Sequence, residues 1–120
     1  MVKKFYNKSF VIAEIGINHM GSLYKAKKLV DSAIRSGVNA VKFQTYKTEK
    51  RVNLSKKNAI FKILKKCELT NEEFLELKKY CDKKKIIFFS TPFDISSALF
   101  LDKMGVKIFK IASFDVANIK

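Results

Sequence analysis

Residues 9–22 read SFVIAEIGINHMGS, and this stretch decides the fold. Phe10 to Ile15 is a short apolar run, rich in β-branched residues and interrupted only by Glu14. Such a run is typical of a strand buried on both faces, as in a parallel sheet. A polar turn with the chain's only histidine, His19, follows at once, and Ser22 can cap a helix. Strand, turn and helix make half of a βαβ unit, which places its chemistry at strand carboxyl ends.

The same alternation continues along the chain. We expect strands at 10–15, 39–45, 86–90 and 107–112. In chain order, the helices between them are expected at 23–36, at 58–67, from Thr70 to the lysines at 83–85, and at 94–104. Residues 46–55 form a polar loop, and 113–120 a loop or incipient helix. The order predicts an α/β fold with four parallel strands and right-handed crossovers. It fits half of a (β/α)8 TIM barrel or a small open sheet, and propensity does not choose between them.

Composition limits the function classes. The 120 residues form one small domain or part of a larger one, with a formal charge of +14. Nucleic acid could balance that charge, but Arg35 and Arg51 are the only arginines, and lysines spread along the chain indicate a general bias rather than a phosphate-reading surface. Cys67 and Cys81 are predicted to be buried thiols. Residues 1–8 are too short and polar for a secretory signal, and no apolar run approaches a membrane span, so we expect a cytoplasmic protein.

Polar side chains gather where the predicted strands end. Alternation along 39–45 puts Lys42 and Gln44 on one face and Val41 and Phe43 on the other. Lysine is depleted in strands and rarely buried without a partner, so a lysine here indicates a cradle for a phosphate or carboxylate. Each strand lysine could instead be a snorkelling edge residue, and Glu14 only its counter-ion. The full set of strand-end polar residues is Glu14, Asn18, His19, Lys42, Gln44, Ser90, Thr91, Lys110 and Ser113.

Four motifs occur in a fixed order: IAEIGINHMGS from Ile12, AVKFQT from Ala40, FFSTPFD from Phe88 and FKIAS from Phe109. Together they resemble the N-terminal half of the N-acetylneuraminate (sialic acid) synthase family, which includes legionaminate and pseudaminate synthases and related spore-coat proteins. The resemblance implies a (β/α)8 barrel followed by a small antifreeze-protein-like domain. It also implies a transferase that condenses phosphoenolpyruvate with an open-chain N-acetylated sugar such as N-acetylmannosamine, with a divalent metal, Mn or Mg.

The resemblance also implies roles for single residues. The positions expected to hold the phosphate and carboxylate of phosphoenolpyruvate are Lys42, Thr91, Lys110 and Ser113. Gln44 matches a position near the sugar. Glu14 matches an acidic residue that transfers a proton or orients water, consistent with the needs of an oxocarbenium-like centre. His19 lies in the family's N-H-x-G turn and is expected to shape that loop.

The chain also departs from the family pattern. The metal-binding histidines of the family come from later strands, so we assign no metal ligand here, and the later strands and C-terminal domain have no counterpart in 1–120. Catalysis is therefore expected to need the missing half of the barrel. A half-barrel exposes unpaired strand edges, which a homodimer or a complementing half would cover. Two alternatives stay open: a non-catalytic half-barrel that binds an anion or dimerises, and a basic nucleic-acid binder.

Overall fold

A computed structural model describes residues 9–53 and 55–118. The predictions made for residues 1–8 lie outside this range. The strands are β1 (Ile12–Gly16), β2 (Ala40–Thr45) and β3 (Ile87–Pro92). The helices are α1 (Leu23–Arg35), α2 (Thr48–Arg51), α3 (Ala59–Cys67), α4 (Asn71–Lys83) and α5 (Ile95–Lys103), and a 3-10 helix covers Ser113–Asp115. In this part of the chain no helix has both the length and the apolar character that a membrane crossing requires.

The three strands form one parallel sheet in the order β1-β2-β3. Glu14 pairs with Lys42 across β1 and β2, and Gln44 pairs with Thr91 across β2 and β3. The predicted α/β fold with a parallel sheet and intervening helices is therefore confirmed.

The predicted fourth strand, 107–112, is not a strand in this structure. Its contact with the sheet is one parallel bridge between Phe109 and Ser90, together with a hydrogen bond from the Lys110 N–H to the Ser90 carbonyl oxygen (3.2 Å). Phe109 and Ile111 remain 41% and 63% exposed, so the described residues do not cover the open side of this segment. In the described residues the sheet therefore has three strands, and a four-stranded half-barrel is not observed.

Two further expectations about local structure need correction. β1 is not buried on both faces, because Ile12 is 42% exposed and the Glu14 side chain 54% exposed, while Ile15 is buried. The loop expected at 46–55 contains the one-turn helix α2, whose four residues are too few to show a helical period.

The core lies between the sheet and its helices. Phe43 of β2 stacks on Phe88 of β3 with ring centroids 5.4 Å apart, and both belong to one buried cluster with residues of α1 and α4. The predicted cap of α1 is confirmed, because Ser22 accepts a backbone N–H. Asn58 and Asp94 cap α3 and α5 in the same way, and Thr70 with Glu73 forms a capping box at α4. The predicted burial of Cys67 and Cys81 is confirmed, and burial raises the pKa of the Cys81 thiol to about 12.

The turn between β1 and α1 packs directly on the end of α3. Gly21 has a φ of +73°, and a Cβ placed there would lie 2.0 Å from the carbonyl oxygen of Lys66. That oxygen belongs to the backbone, so it cannot move aside as a flexible side chain would. Gly37 has a similar φ of +75° but nothing within 4 Å of its Cβ position. Substituting each glycine therefore distinguishes the energetic cost of a left-handed backbone, which applies at both positions, from the cost of close packing, which applies only at Gly21.

We expect Gly37→Ala to lower the free energy of unfolding by about 1 kcal/mol, the usual penalty of a left-handed alanine. Gly21→Ala should lower the free energy of unfolding by a further 1–3 kcal/mol or so, because the turn between β1 and α1 must move away from the Lys66 carbonyl oxygen. Urea unfolding of both variants beside the wild type measures the difference. Equal losses would contradict the close approach of the turn to α3.

Candidate anion-binding site

The Lys42 ammonium occupies the centre of the strand-end site. It lies 2.7 Å from Glu14 Oε2 and donates a hydrogen bond to Thr91 Oγ1 at 3.1 Å. The Lys42 side chain is 13% exposed and that of Glu14 54%, so the pair lies at the boundary between protein and solvent. A lysine ammonium has three donors and these contacts use two, which leaves one for a ligand.

The strand pairing explains why these three side chains meet. Lys42 lies opposite Glu14 on β1 and opposite Phe89 on β3. Thr91 is two positions beyond Phe89, on the same face of β3. The register shifts between Glu14 and Gly16, so β1 carries an irregularity of the bulge type beside Lys42. Bulges of this kind re-aim side chains and are common next to active sites.

Gln44 forms the other side of the site and is held by Arg51. Arg51 Nη1 donates to Gln44 Oε1 at 3.1 Å. A Cβ at Gly16 would lie 3.6 Å from both Gln44 Nε2 and Glu14 Oε1. The amide nitrogen and the carboxylate oxygen therefore both border the Cβ position of Gly16. The prediction that Lys42 and Gln44 share a face, opposite Val41 and Phe43, is confirmed by their intermediate burial against two fully buried neighbours.

Two partly buried carboxylates hold the loops around this site. Asp94 accepts hydrogen bonds from the Lys47 N–H at 3.0 Å and from the N–H and hydroxyl of Ser97. These bonds join the loop after β2 to the start of α5. Glu68 accepts from the Thr48 N–H (3.0 Å) and hydroxyl (2.7 Å). Burial alone would raise the pKa of both carboxyl groups, but the hydrogen bonds they accept outweigh it and lower both values.

Lys110 and Ser113 are not joined to this group. The Lys110 ammonium donates to the carbonyl oxygen of Ile111, and Ser113 begins the 3-10 helix as an exposed residue. The structure thus brings together Glu14, Lys42, Gln44 and Thr91. A ligand-binding role for any of the six predicted residues stays a prediction.

His19 shapes the first turn, as expected. It is 1% exposed, and its Nδ1 accepts the Gly21 N–H at 3.1 Å, which fixes the neutral tautomer with the proton on Nε2. Burial lowers the pKa of His19, with a smaller opposing effect from Glu73. Because Nδ1 accepts this hydrogen bond and Nε2 carries the proton, His19 does not fit a metal-ligand role. The described residues also hold no cluster of three metal-binding side chains. The residues gathered at this site therefore do not fit the divalent metal that the resemblance implies.

Arg51 is the site residue that sequence reasoning missed. Its guanidinium lies 3.8 Å from the ring centroid of Phe93 and 4.6 Å from that of Tyr46. The available signal was its rarity, as one of two arginines in a lysine-rich chain. No period or motif marks the segment, so nothing linked Arg51 to Gln44.

The fold and the site define an α/β protein whose parallel strands gather charged, amide and hydroxyl side chains at their carboxyl ends. Residues 29–120 match the profile of the NeuB family. The chain belongs to the NeuB family.

Named relatives agree with this assignment. The chain is 41% identical over 122 residues to N,N'-diacetyllegionaminic acid synthase of Legionella pneumophila, with 92% of this chain and 34% of that protein covered. It is 30% identical over 120 residues to human N-acetylneuraminate-9-phosphate synthase, with 91% and 33% covered. The chain thus spans about a third of the length of these relatives.

A solved structure supports the fold. The crystal structure of N-acetylneuraminic acid (sialic acid) synthetase from Leptospira borgpetersenii, in complex with citrate, matches with a TM-score of 0.88 and 43% sequence identity. The match covers 94% of this chain and 39% of that one.

The lowered pKa of His19 gives stability a defined pH dependence. As pH falls below about 6.5, the unfolded chain takes up a proton that buried His19 resists, so the free energy of unfolding should fall by up to roughly 1.4 kcal/mol per pH unit. His19→Asn keeps an acceptor for the Gly21 N–H but does not titrate, so this loss should disappear.

Denaturant unfolding between pH 7.5 and 5.5 measures the effect, because Glu68 and Asp94 protonate only at lower pH. If the free energy of unfolding changed equally with pH in the wild type and in His19→Asn, His19 would not be the source of the pH dependence.

Proposed function

We propose that this chain carries the phosphoenolpyruvate-binding part of a nonulosonate synthase. The reaction condenses phosphoenolpyruvate with the aldehyde of an N-acetylated sugar of the N-acetylmannosamine type and releases phosphate. Support comes from membership of the NeuB family, from relatives named as legionaminic and neuraminic acid synthases, and above all from the Lys42 ammonium held between Glu14 and Thr91 at the strand ends.

The binding chemistry suits a small polyanion. Phosphoenolpyruvate carries a phosphate and a carboxylate within a three-carbon frame, so a site for it needs cations and hydroxyl donors placed close together. Lys42 and Thr91 supply one of each in contact with one another. We infer that Lys110 and Ser113 complete this set, with the Lys110 ammonium leaving the Ile111 carbonyl oxygen to reach the ligand.

Glu14 is the proposed catalytic residue. When C3 of phosphoenolpyruvate bonds to the aldehyde carbon, C2 becomes an oxocarbenium-like centre. Water adds to that carbon, one of its protons ends on the aldehyde oxygen, and the other leaves with phosphate when the C2–O–phosphate bond breaks to give the ketone. A carboxylate beside the donor site can stabilise the cation and accept the proton of the water. Glu14 is half exposed next to Lys42, which lets it meet both the anion and solvent.

We infer that β1 to β3 are the first strands of a (β/α)8 barrel. The condensation would then need, besides these residues, the part of the relatives' length that has no counterpart in this chain. The chain covers about a third of each relative, so a test of the reaction adds the remaining part as a separate polypeptide.

Phosphate release from phosphoenolpyruvate, N-acetylmannosamine and Mn tests the reaction. The chain alone should release none, whereas a mixture with the remaining two-thirds of the Legionella relative should be active. Turnover by the chain alone would show that further residues are not needed. Absence of turnover in a folded mixture would count against the condensation.

Phosphoenolpyruvate binding to the chain itself tests the site. Lys42→Met should weaken binding by about 10- to 100-fold, the usual loss when a charge-assisted hydrogen bond is removed. Lys27→Met is the matched control, since it removes the same charge from a lysine paired with Glu76 on the outer helices. Calorimetric titration of both variants gives the comparison, with melting curves to confirm folding. Equal affinity in Lys42→Met and wild type would refute the assignment.

A further inference from the structure

We propose that Arg51 is a positioning residue that fixes the Gln44 side chain, so that the site presents an N–H donor beside the Glu14 carboxylate to a hydroxyl group of the acceptor sugar. The identity of that ligand rests on the proposed function. The positioning of Gln44 by Arg51 does not, and it can be tested without any ligand.

The guanidinium of Arg51 lies against two aromatic rings. It lies 3.8 Å from the ring centroid of Phe93 and 4.6 Å from that of Tyr46, and these two rings meet edge to face at 82°. Arginine stacks well on aromatic faces because its planar, delocalised cation is weakly hydrated. The two rings therefore hold the cation at the position from which Nη1 donates to Gln44.

The supports of this cation are themselves fixed. The Tyr46 hydroxyl donates to the Leu64 carbonyl oxygen at 2.8 Å, and the Phe93 N–H donates to the Thr45 carbonyl oxygen at 3.0 Å. Helix α2, which carries Arg51, is tied at Thr48 to the Glu68 carboxylate. Such second-layer contacts are what hold a binding group in one orientation.

Arg51 decides which end of the Gln44 amide faces the site. A guanidinium only donates hydrogen bonds, so the Gln44 atom beside it must be the carbonyl oxygen. The amide nitrogen is then directed toward Gly16, where one point lies 3.6 Å from both that nitrogen and Glu14 Oε1. Without Arg51 the amide could turn by 180° and offer an acceptor instead.

This pairing selects a class of ligand group. A group between Gln44 and Glu14 must accept from the amide and donate to the carboxylate. A hydroxyl does both, whereas an ionised phosphate or carboxylate of phosphoenolpyruvate has no hydrogen to donate to Glu14. Beside Lys42 the ammonium offsets the charge of that carboxylate and can bind an anion. The anionic donor therefore binds on the Lys42 and Thr91 side, and the polyhydroxy acceptor on the Gln44 side.

The chain offers a specific probe, because Gln44 is its only glutamine. Labelling with side-chain ¹⁵N-glutamine gives one NH2 group in the NMR spectrum. In Arg51→Met, we expect this signal to shift and to show faster side-chain motion. Arg35→Met is the matched control, since it removes the other arginine, an exposed residue at the end of α1, and should leave the signal unchanged.

An unchanged Gln44 signal in folded Arg51→Met would overturn the proposal. If that variant does not fold, Arg51→Lys replaces it, because lysine keeps a cation near the rings but lacks the planar fork. The signal should again shift, and an unmoved signal overturns the proposal equally.

Titrations with N-acetylmannosamine and phosphoenolpyruvate test the ligand assignment. We expect the sugar to move the wild-type Gln44 signal, and Arg51→Met to bind it about tenfold more weakly, as for a lost or misdirected hydrogen bond, with phosphoenolpyruvate affinity within about twofold. Unchanged sugar affinity, or a loss confined to phosphoenolpyruvate, would overturn the assignment. If the wild type binds neither compound, the proposed function fails, while the ligand-free comparison still decides the role of Arg51.

Discussion

The site depends on the register of three parallel strands. Placing Glu14 opposite Lys42 and Gln44 opposite Thr91 brings side chains from distant parts of the sequence to one edge of the sheet. A slip of one residue on β2 would turn Lys42 and Gln44 into the core and Val41 and Phe43 out of it. Burial of Phe43 against Phe88 therefore fixes both the hydrophobic core and the polar site.

The register also explains how Lys42 is tolerated. A lysine that is 13% exposed needs a partner, and Glu14 and Thr91 provide one charge and one hydroxyl. Because Glu14 is half exposed, the pair adds little to stability by itself. Its consequence is placement: the ammonium is kept at a boundary where an arriving anion can meet it.

The sequence predicted the parts of the molecule that are set by local pattern. The α/β order, the Ser22 cap and the alternation along β2 all follow from spacing within a few residues, and the loop role of His19 follows from the resemblance of its turn to the family motif. The errors concern features that depend on distant neighbours. The segment 107–112 has the composition of a strand, yet it forms one bridge, because pairing needs burial on its open side as well as β propensity. Arg51 escaped notice because its partners, Gln44, Tyr46 and Phe93, meet only after β2 and β3 are paired.

The irregularity in β1 gives the site its two sides. Between Glu14 and Gly16 the pairing shifts, and Gly16 adopts a φ of +57°, which a glycine takes without strain. The strand end turns there, and the absent side chain leaves room between the Gln44 amide and the Glu14 carboxylate. Glu14 thus pairs with Lys42 through one carboxylate oxygen, while the other oxygen borders the same Gly16 position as the Gln44 amide nitrogen. In the proposed condensation, one carboxylate would then lie near both the cation for the anionic donor and the amide donor for a hydroxyl, which would hold two unlike substrates side by side.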